Sequence, residues 1–279
     1  MWEQLFIETD RGTFEVFKCG NGEPICITHL YSEYDSRGNL FANLFTDHYT
    51  VYLVNLRGCG NSTDDLTIYN YSMEHSVEDL EAIRRTLGIE KWLFAGHSTG
   101  GMLALKYAIM HPNSLAHIVA GGLCASNEYM HHPDSIYCPE NANNKRIKEI
   151  IAFLRNPDST LKERRAANKE WTMMSLYNEE NYEKMISRPN SGKTVSKRLD
   201  YFSNEELPTY DLRSQLEQTR TKAFIYCGQY DAQCPYSYSV EAASLMPNAS
   251  LYTFKESNHF PFVEEEMTFK KFIQNTLSQ

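Results

Sequence analysis

The segment Gly96-His97-Ser98-Thr99-Gly100-Gly101 decides the fold. It follows an apolar run at residues 92–95, which predicts a buried strand, and it precedes residues 102–109, which predict a helix. A G-x-S-x-G at such a turn exposes the serine hydroxyl at the carboxyl end of the strand. The flanking positions are glycines because side chains there would collide with the neighbouring strand and helix. We therefore expect Ser98 to be a nucleophile on a sharp, strained turn.

Further strand and helix patterns alternate on both sides of this turn. A hairpin comes first, with strands at residues 5–7 and 13–17 joined by Asp10-Arg11-Gly12. Runs that are apolar throughout are typical of strands covered on both faces, as in a parallel sheet with crossover helices. The sequence therefore predicts an α/β fold with a mostly parallel sheet of about eight strands. The other predicted strands are 25–28, 51–54, 92–95, 116–119, 223–227 and 251–254, and the predicted helices are 40–45, 77–87, 102–109, 240–245 and 267–277.

The alternation stops near Gly122 and resumes at residue 223. The interval has helical patterns at 145–154, 161–177 and 182–186 and no convincing strand. Counted over 125–219, it holds 14 basic and 15 acidic residues, so nearly all of the net charge of −9 belongs to the rest of the chain. We expect an inserted helical cap over residues 122–219 and a core formed by residues 1–121 and 220–279.

An acid and a histidine follow two later strands. Asp231 comes after the strand at 223–227, and His259 comes after the strand at 251–254. Both therefore belong to the edge of the sheet at which Ser98 lies. The three residues occur in the chain order Ser, Asp, His. In a triad of these residue types, the histidine takes the serine proton and the acid fixes the imidazole tautomer. We predict a catalytic triad of these three residues, with an ordinary turn acid and a surface histidine as the alternatives for the last two.

Metal and nucleotide sites find little support in the sequence. His131 and His132 are adjacent, so their side chains diverge, and no third ligand stands nearby. Gly58 and Gly60 lack the rest of a dinucleotide fingerprint, which favours a structural turn. We expect neither a metal nor an organic cofactor, because a triad and two backbone amides account for the whole reaction cycle.

Charge and composition narrow the partners. The 27 basic residues face 36 acidic ones, and this balance disfavours binding to phosphate backbones and anionic lipids. No apolar run approaches the roughly 18 residues that cross a bilayer, and Met1-Trp2-Glu3-Gln4 does not begin a signal peptide. The seven cysteines are scattered without a C-x-x-C pair, which favours free thiols. We expect a cytoplasmic protein with a small-molecule substrate and no nucleic-acid or membrane partner; the oligomeric state stays open.

These motifs together resemble a known family. Asn55-Leu56-Arg57-Gly58-Cys59-Gly60-Asn61-Ser62 is similar to the D-x-R-G-x-G-x-S loop of α/β-hydrolases, and His259-Phe260-Pro261 is followed by Glu264-Glu265-Glu266 as in that family. Over nearly its whole length the chain resembles an α/β-hydrolase with a helical cap, and most of all the proline iminopeptidase and carboxylesterase-type members. The resemblance implies the α/β-hydrolase fold and a serine hydrolase.

The sequence departs from the family pattern at three places. The family commonly has His-Gly after the third strand, where this chain has His29-Leu30-Tyr31. By position, the oxyanion-hole amides come from Tyr31 and Thr99. Asn55 stands where the family often has aspartate, and the turn around Ser98 lacks the G-G-S-W-G form typical of proline iminopeptidases. These departures weaken the expectation of a peptidase.

The predicted reaction is cleavage of a small ester or amide through an acyl-enzyme, in the manner of a proline iminopeptidase or a carboxylesterase. A dehalogenase of this fold needs an aspartate nucleophile, and Ser98 argues against it. A cofactor-free peroxidase and a carbon–carbon bond hydrolase keep the same three residues, so both stay open. A ligand receptor on a hydrolase scaffold, which needs no catalysis, is a further alternative.

The cap offers two kinds of substrate-binding candidates. Glu179-Glu180 and Glu205-Glu206 could hold a substrate amine, although such pairs are more often solvated helix faces. Aromatic and apolar cap residues could line a pocket or form the cap's own core. These wall candidates are Trp171, Met173, Met174, Tyr177, Tyr182 and Phe202. The predicted substrate-binding set is Glu179, Glu180, Glu205, Glu206 and Trp171.

Overall fold

A twisted sheet forms the centre of the protein. The computed structural model describes residues 1–64, 68–156 and 158–277. Within these residues, eight strands form the sheet in the order β1-β2-β4-β3-β5-β6-β7-β8. The strands are β1 (Glu3–Thr9), β2 (Gly12–Cys19), β3 (Glu23–Ile27), β4 (Tyr49–Val54), β5 (Trp92–His97), β6 (Leu115–Gly121), β7 (Ala223–Gly228) and β8 (Ala249–Phe254).

The hairpin β1–β2 lies at one edge of the sheet. It pairs antiparallel with Leu5 opposite Val16, and β2 also runs antiparallel to β4. Every other neighbouring pair in the sheet is parallel, from β3 beside β4 to β7 beside β8. The predicted α/β fold with a mostly parallel sheet and an antiparallel edge hairpin is confirmed.

Both faces of the sheet are buried, and its central strands are apolar at most positions. Ile25 and Leu93 are register partners on one face, and Cys26 and Phe94 are partners on the other. Helices cover each side, as the connections between parallel strands require. The helices are α1 (Leu40–Asn43), α2 (Met73–Thr86), α3 (Thr99–Met110), α4 (Asn144–Arg155), α5 (Leu161–Met173), α6 (Asn181–Ile186), α7 (Ser196–Tyr201), α8 (Arg213–Leu216), α9 (Tyr236–Leu245), α10 (Pro261–Glu264) and α11 (Glu266–Leu277).

Helices α4 to α8 occupy the interval between β6 and β7. Thr160 begins α5 with a capping box, in which its hydroxyl accepts from the Glu163 amide and the Glu163 carboxylate accepts from the Thr160 amide. A small apolar cluster of the interval includes Ile147, Ile150 and Ala167. This cluster and contacts to the sheet hold these helices in place.

The expectation that this interval has no strand is wrong at one point. Lys193–Thr194 forms a two-residue strand that pairs antiparallel with Ser32–Glu33. Two residues are too few to show an alternating pattern, and the partner lies far away in the chain, so the sequence carries no local signal for this strand. The pairing joins the interval to the loop that follows β3.

Candidate active site

Ser98 occupies a strained turn between β5 and α3. Its φ of 57° and ψ of −125° make it the only non-glycine residue with positive φ in the described part of the chain. The turn is held by the neighbouring strand, because the Ser98 amide donates to Gly121 O at 2.9 Å. Residues held in such a sparsely populated conformation cluster at active sites.

The glycines of this turn have no room for side chains. A Cβ on Gly96 would lie 2.0 Å from Gly100 O, and a Cβ on Gly100 would lie 2.4 Å from Thr28 O. Both contacts are with backbone atoms, which cannot rotate away. The close approach of α3 to the ends of β3 and β5 therefore depends on these two glycines.

Asp231 and His259 meet beyond the ends of β7 and β8. His259 Nδ1 lies 3.0 Å from Asp231 Oδ1 and 2.9 Å from Oδ2, and both residues are buried. The carboxylate also accepts from the amides of Gln233 at 2.9 Å and Cys234 at 2.8 Å. These bonds fix the carboxylate, which in turn orients the imidazole ring through Nδ1.

The loop that carries His259 is tied to both parts of the protein. Asn258 Oδ1 accepts from the Ala232 amide at 2.8 Å, and this bond joins the two loops of the Asp231–His259 pair. The His259 amide donates to Ser175 O at 3.1 Å, directly after α5. Helix α5 ends earlier than predicted, and the residues that follow it turn toward this loop.

Glu264 strengthens the same junction. Its carboxylate accepts from the amide of Asn258 at 2.8 Å and from that of Tyr177 at 2.6 Å. Burial raises the pKa of Glu264, although the backbone donors work in the opposite direction. The glutamate run noted in the sequence therefore supplies one structural carboxylate that positions the histidine loop.

No hydrogen bond joins the Ser98 hydroxyl to His259 among the described residues. Catalytic hydrogen bonds are often long in unliganded proteins and tighten when substrate binds. The ring of His97 lies beside His259, with centroids 4.6 Å apart, and its Nδ1 is 3.0 Å from the Tyr226 hydroxyl. Burial lowers the pKa of His97, so a neutral ring packs against the His259 imidazole.

Tyr31 and Thr99 line the same cavity as Ser98, and His29 contacts both of them. The Thr99 amide is at the start of α3, where N–H groups have no partner within the helix. The Tyr31 amide lies 3.5 Å from His29 Nδ1, too long for a strong hydrogen bond. His29 Nε2 lies 3.0 Å from the Thr99 hydroxyl, and Nδ1 lies 3.1 Å from the Ser32 hydroxyl.

His29 is a site residue to which the sequence interpretation gave no role of its own. Burial lowers its pKa to about 3, so its ring is neutral near pH 7 and offers one donor and one acceptor. It therefore links the loop after β3 to the Thr99 side chain without bringing a charge to the position where an oxyanion would form. The available signals were its place directly after an apolar strand and its match to the histidine of the family's His-Gly.

A cavity of about 230 Å³ opens at Ser98. Tyr31 and Thr99 lie beside the serine, and Trp171 and Phe202 are the two sequence-predicted wall residues that line it. Met173, Met174, Tyr177 and Tyr182 are not among its lining residues. The other walls are mainly apolar or aromatic, and Arg155 is the one charged residue among those that line the described cavity. The lining that the sequence did not anticipate is Met102, Tyr129, Met130, Tyr137, Ile151, Arg155, Leu199, Ser203, Leu207, Gln233 and Cys234.

The structure does not bring the predicted acidic pairs to this cavity. Glu179 and Glu180 are exposed at the start of α6, and Glu205 is exposed as well. Glu206 is different, because its Oε1 accepts from the Met73 amide at 2.8 Å while its Oε2 is buried without a hydrogen-bond partner in the described structure. Burial raises the pKa of Glu206. The exposed acids have the character of solvated helix faces.

The loop at residues 55–62 is structural. Asn55 is fully buried, where its Oδ1 accepts from the Tyr34 amide at 2.7 Å and its Nδ2 donates to Glu15 at 2.7 Å. Arg57 pairs with the buried Asp79 carboxylate at 2.9 Å. Asparagine in place of the family's aspartate therefore retains a role in holding the loop after β4.

Within residues 1–64, 68–156 and 158–277, no group of three or more histidine, cysteine, aspartate or glutamate side chains is arranged to hold a metal ion. His131 ends a short 3₁₀ turn and His132 follows it. No described helix is long and apolar enough to cross a membrane.

The fold and the strained serine turn define a class of protein that the sequence comparisons also identify. The chain belongs to the alpha/beta hydrolase fold family, whose sequence pattern matches residues 20–266. It is 26% identical over 270 residues to a proline iminopeptidase of Xylella fastidiosa, covering 88% of this chain and 86% of that protein. It is 23% identical to a proline iminopeptidase of Heyndrickxia coagulans, covering 95% of each. The resemblance drawn from the motifs is confirmed at the level of the family, and these relatives support a hydrolase.

Solved structures agree with this assignment. An alpha/beta fold family hydrolase from Bacillus anthracis str. Sterne is 52% identical, with a TM-score of 0.97 over 99% of each chain. A thermophilic esterase from Thermogutta terrifontis is 20% identical, with a TM-score of 0.70 over 99% of this chain and 98% of that one. The second likeness shows the shared fold alone.

Proposed function

We propose that the protein is a serine hydrolase that cleaves a small carboxylic ester through an acyl-enzyme. The observation that carries the proposal is the strained Ser98 at a mainly apolar cavity, with the buried Asp231–His259 pair at the same edge of the sheet. A serine forced into this conformation has its hydroxyl exposed, and a paired imidazole nearby is the base that such a hydroxyl needs.

The steps follow from the positions of these groups. Ser98 Oγ attacks the substrate carbonyl carbon while His259 Nε2 accepts the hydroxyl proton. His259 then donates that proton to the leaving oxygen, and a water molecule releases the acyl group by the reverse sequence. Asp231 keeps the proton on His259 Nδ1. The amides of Thr99 and Tyr31 are the proposed donors to the oxyanion, and no step calls on a further cofactor.

The cavity lining favours an uncharged acyl group. Its volume of about 230 Å³ and its aromatic and aliphatic walls suit a short or branched acyl chain. No carboxylate is among the described residues that line it, so a substrate ammonium would lose its hydration without gaining a counter-ion there. Arg155 at the cavity is ion-paired with Asp200 at 3.0 Å.

A proline iminopeptidase-like activity is the second candidate. It is favoured by the curated relatives and by Glu206, whose buried Oε2 lacks a partner and whose neighbour Leu207 lines the cavity. A substrate amine would supply the missing donor. Esterase and aminopeptidase thus differ in whether Glu206 contacts the substrate.

A comparison of kcat/KM separates the two candidates. We expect turnover of p-nitrophenyl esters of short and medium acids, and lower kcat/KM for aminoacyl arylamides, including the prolyl one. Faster arylamide cleavage would reverse this order. Absence of turnover on any acyl substrate would instead favour a receptor or one of the other chemistries of this fold.

Glu206→Gln gives the matched test of amine recognition. If Glu206 holds an amine, the variant loses about ten- to a hundred-fold in kcat/KM on arylamides and keeps its ester activity, since a hydrogen bond to a charged group contributes about 1.5 to 3 kcal/mol. Glu179→Gln combined with Glu180→Gln is the control, because both residues are exposed outside the cavity. If both variants keep the same kcat/KM on arylamides and on esters, amine recognition by Glu206 is excluded and the esterase proposal remains.

A further inference from the structure

A buried arginine of the cap reaches the loop that carries Tyr31. Arg198 lies on α7 and is 2% exposed. Its Nε donates to Leu30 O, and its Nη1 donates to Arg57 O at 2.9 Å. Its Nη2 donates to the Ser76 hydroxyl at 2.9 Å and to Tyr71 O at 3.3 Å. Its partners are thus neutral oxygens from three separate parts of the sheet domain.

Burying an arginine in this way costs more stability than a side chain that only attaches the cap would require. Arg198 forms no ion pair with any described carboxylate, and its burial lowers the pKa of the guanidinium. The charges of Asp79 and Glu206 raise that pKa in part, but a buried cation without a direct ion pair is destabilising relative to a well-packed apolar side chain of similar size. The four hydrogen bonds offset part of this cost. Arginine supplies several N–H donors in a fixed planar fork, which no apolar residue provides.

The bond to Leu30 O controls an amide on the opposite side of the same peptide. Leu30 C=O and Tyr31 N–H belong to one planar trans unit, so they point in opposite directions. Fixing the carbonyl therefore also fixes the direction of the Tyr31 N–H, whose long contact to His29 Nδ1 at 3.5 Å is too weak to hold it firmly. The guanidinium also polarises the peptide, because a charge-assisted hydrogen bond to the carbonyl makes the N–H a stronger donor.

A second cap contact holds the next peptide. The Val195 amide donates to Tyr31 O at 2.7 Å, and the strand pair of Ser32–Glu33 with Lys193–Thr194 continues this attachment. Cap residues 193–198 therefore hold the loop after β3 by hydrogen bonds at successive peptides.

We infer that Arg198 is a positioning residue for hydrolysis, which orients and polarises the Leu30–Tyr31 peptide, whose N–H is the proposed donor to the oxyanion. The inference rests on the proposed serine hydrolase function. It makes the cap part of the catalytic machinery as well as a wall of the cavity. Arg198 itself contacts no substrate and acts through the peptide.

The test compares Arg198→Lys with Arg164→Lys. Arg164 is the matched control, because its guanidinium also donates to three backbone carbonyls, those of Leu154, Asn156 and Ser159, but all of them lie within the cap. Lysine retains the charge and loses the fork. We expect Arg198→Lys to lower kcat for a p-nitrophenyl ester about ten- to a hundred-fold, with KM within about twofold. Outright loss of an oxyanion donor costs on the order of 10² to 10³ in kcat.

Affinity for a trifluoromethyl ketone with the acyl chain of the best ester gives the readout that a merely structural role would not move. Its adduct with Ser98 carries an oxyanion, so its Ki should weaken in proportion to the loss of kcat/KM. Arg164→Lys should leave kcat and Ki unchanged whatever it does to the melting temperature. An Arg198→Lys protein that is folded but keeps the wild-type kcat and Ki overturns the inference.

A crystal structure of the wild-type ketone adduct decides the matter if Arg198→Lys does not fold. The inference expects the adduct oxygen 2.7 to 3.1 Å from Tyr31 N, with Arg198 still on Leu30 O. An adduct oxygen that contacts other donors instead contradicts it. Wild-type protein without ester turnover or ketone adduct would overturn the proposed function and the inference together, whereas normal wild-type chemistry with a silent Arg198→Lys overturns the inference alone.

Discussion

The sheet side and the cap side of the site are held together in different ways. On the sheet side, the backbone sets the geometry: Ser98 is strained, Gly100 leaves no room for a Cβ beside Thr28 O, and Asp231 is fixed by two amides. On the cap side, side-chain bonds, such as Arg198 on Leu30 O and Glu264 on the Tyr177 amide, add to the backbone pairing of the short strand at Lys193–Thr194. Under the proposed function, this difference predicts larger kinetic losses from changes at Ser98, Asp231 and Gly100 than from changes to the cavity walls contributed by residues 122–219.

The largest expected effect concerns the nucleophile. Ser98→Ala should abolish both ester turnover and covalent labelling by a fluorophosphonate, because no other hydroxyl takes its place on the strained turn. Intact-protein mass spectrometry measures the labelling, and circular dichroism checks the fold. Labelling at one equivalent with full activity in the variant would show that another residue is the nucleophile.

The acid should have the next largest effect. Asp231→Asn should keep the fold and lower kcat by about 10⁴, since an amide at this position favours the wrong imidazole tautomer. Asp211→Asn is the control, because Asp211 is exposed and paired with Arg213 at 2.7 Å. Steady-state kinetics on the best ester measures both. A small loss for Asp231→Asn, or a large one for Asp211→Asn, would reassign the acid.

Gly100→Ala tests how far the backbone sets the sheet side. The added methyl would meet Thr28 O, so α3 must move relative to β3, and the Thr99 amide moves with it. We expect a stability loss of about 1 to 3 kcal/mol and a kcat lowered by about ten-fold or more. Chemical denaturation and ester kinetics measure the two effects.

Gly88→Ala is the control for that experiment. Gly88 has φ of +68° and open space around its Cβ position, so alanine there introduces strain without a collision. It should cost about 1 to 2 kcal/mol of stability and leave kcat unchanged. Equal kinetic behaviour of the two variants would mean that the tight approach at Gly100 serves folding alone.

The smallest effect is expected on the cap side. Trp171→Ala should enlarge the cavity and raise the ratio of kcat/KM for medium over short acyl esters by several-fold, since one methylene in an apolar pocket is worth about 1 kcal/mol or more. Tyr182→Ala is the control, because Tyr182 is an aromatic cap residue outside the cavity. A chain-length profile of p-nitrophenyl esters measures the change. An unchanged profile for Trp171→Ala would place the acyl group elsewhere.

Local sequence patterns were sufficient to predict the fold and the positions of the candidate site residues on it. The turn around Ser98 is readable because a strained residue between a strand and a helix needs glycines at fixed offsets, and these leave a motif. Asp231 and His259 were found because parallel strands bring their carboxyl ends to one edge, so residues that follow strands are neighbours whatever their separation in sequence. Apolar runs identified those strands, since both faces of the sheet are buried.

The tertiary structure alone decided which cap residues reach the site. Arg198 and Leu30 are 168 residues apart, and no local periodicity records such a pair. Glu179, Glu180 and Glu205 looked the same in the sequence as Glu206, yet only Glu206 has a buried carboxylate oxygen, because the docking of the cap determines which side chains turn inward. Helices and strands follow from interactions between residues close in the sequence. The contacts between residues 122–219 and the sheet depend on how distant segments pack, and no local sequence pattern records that packing.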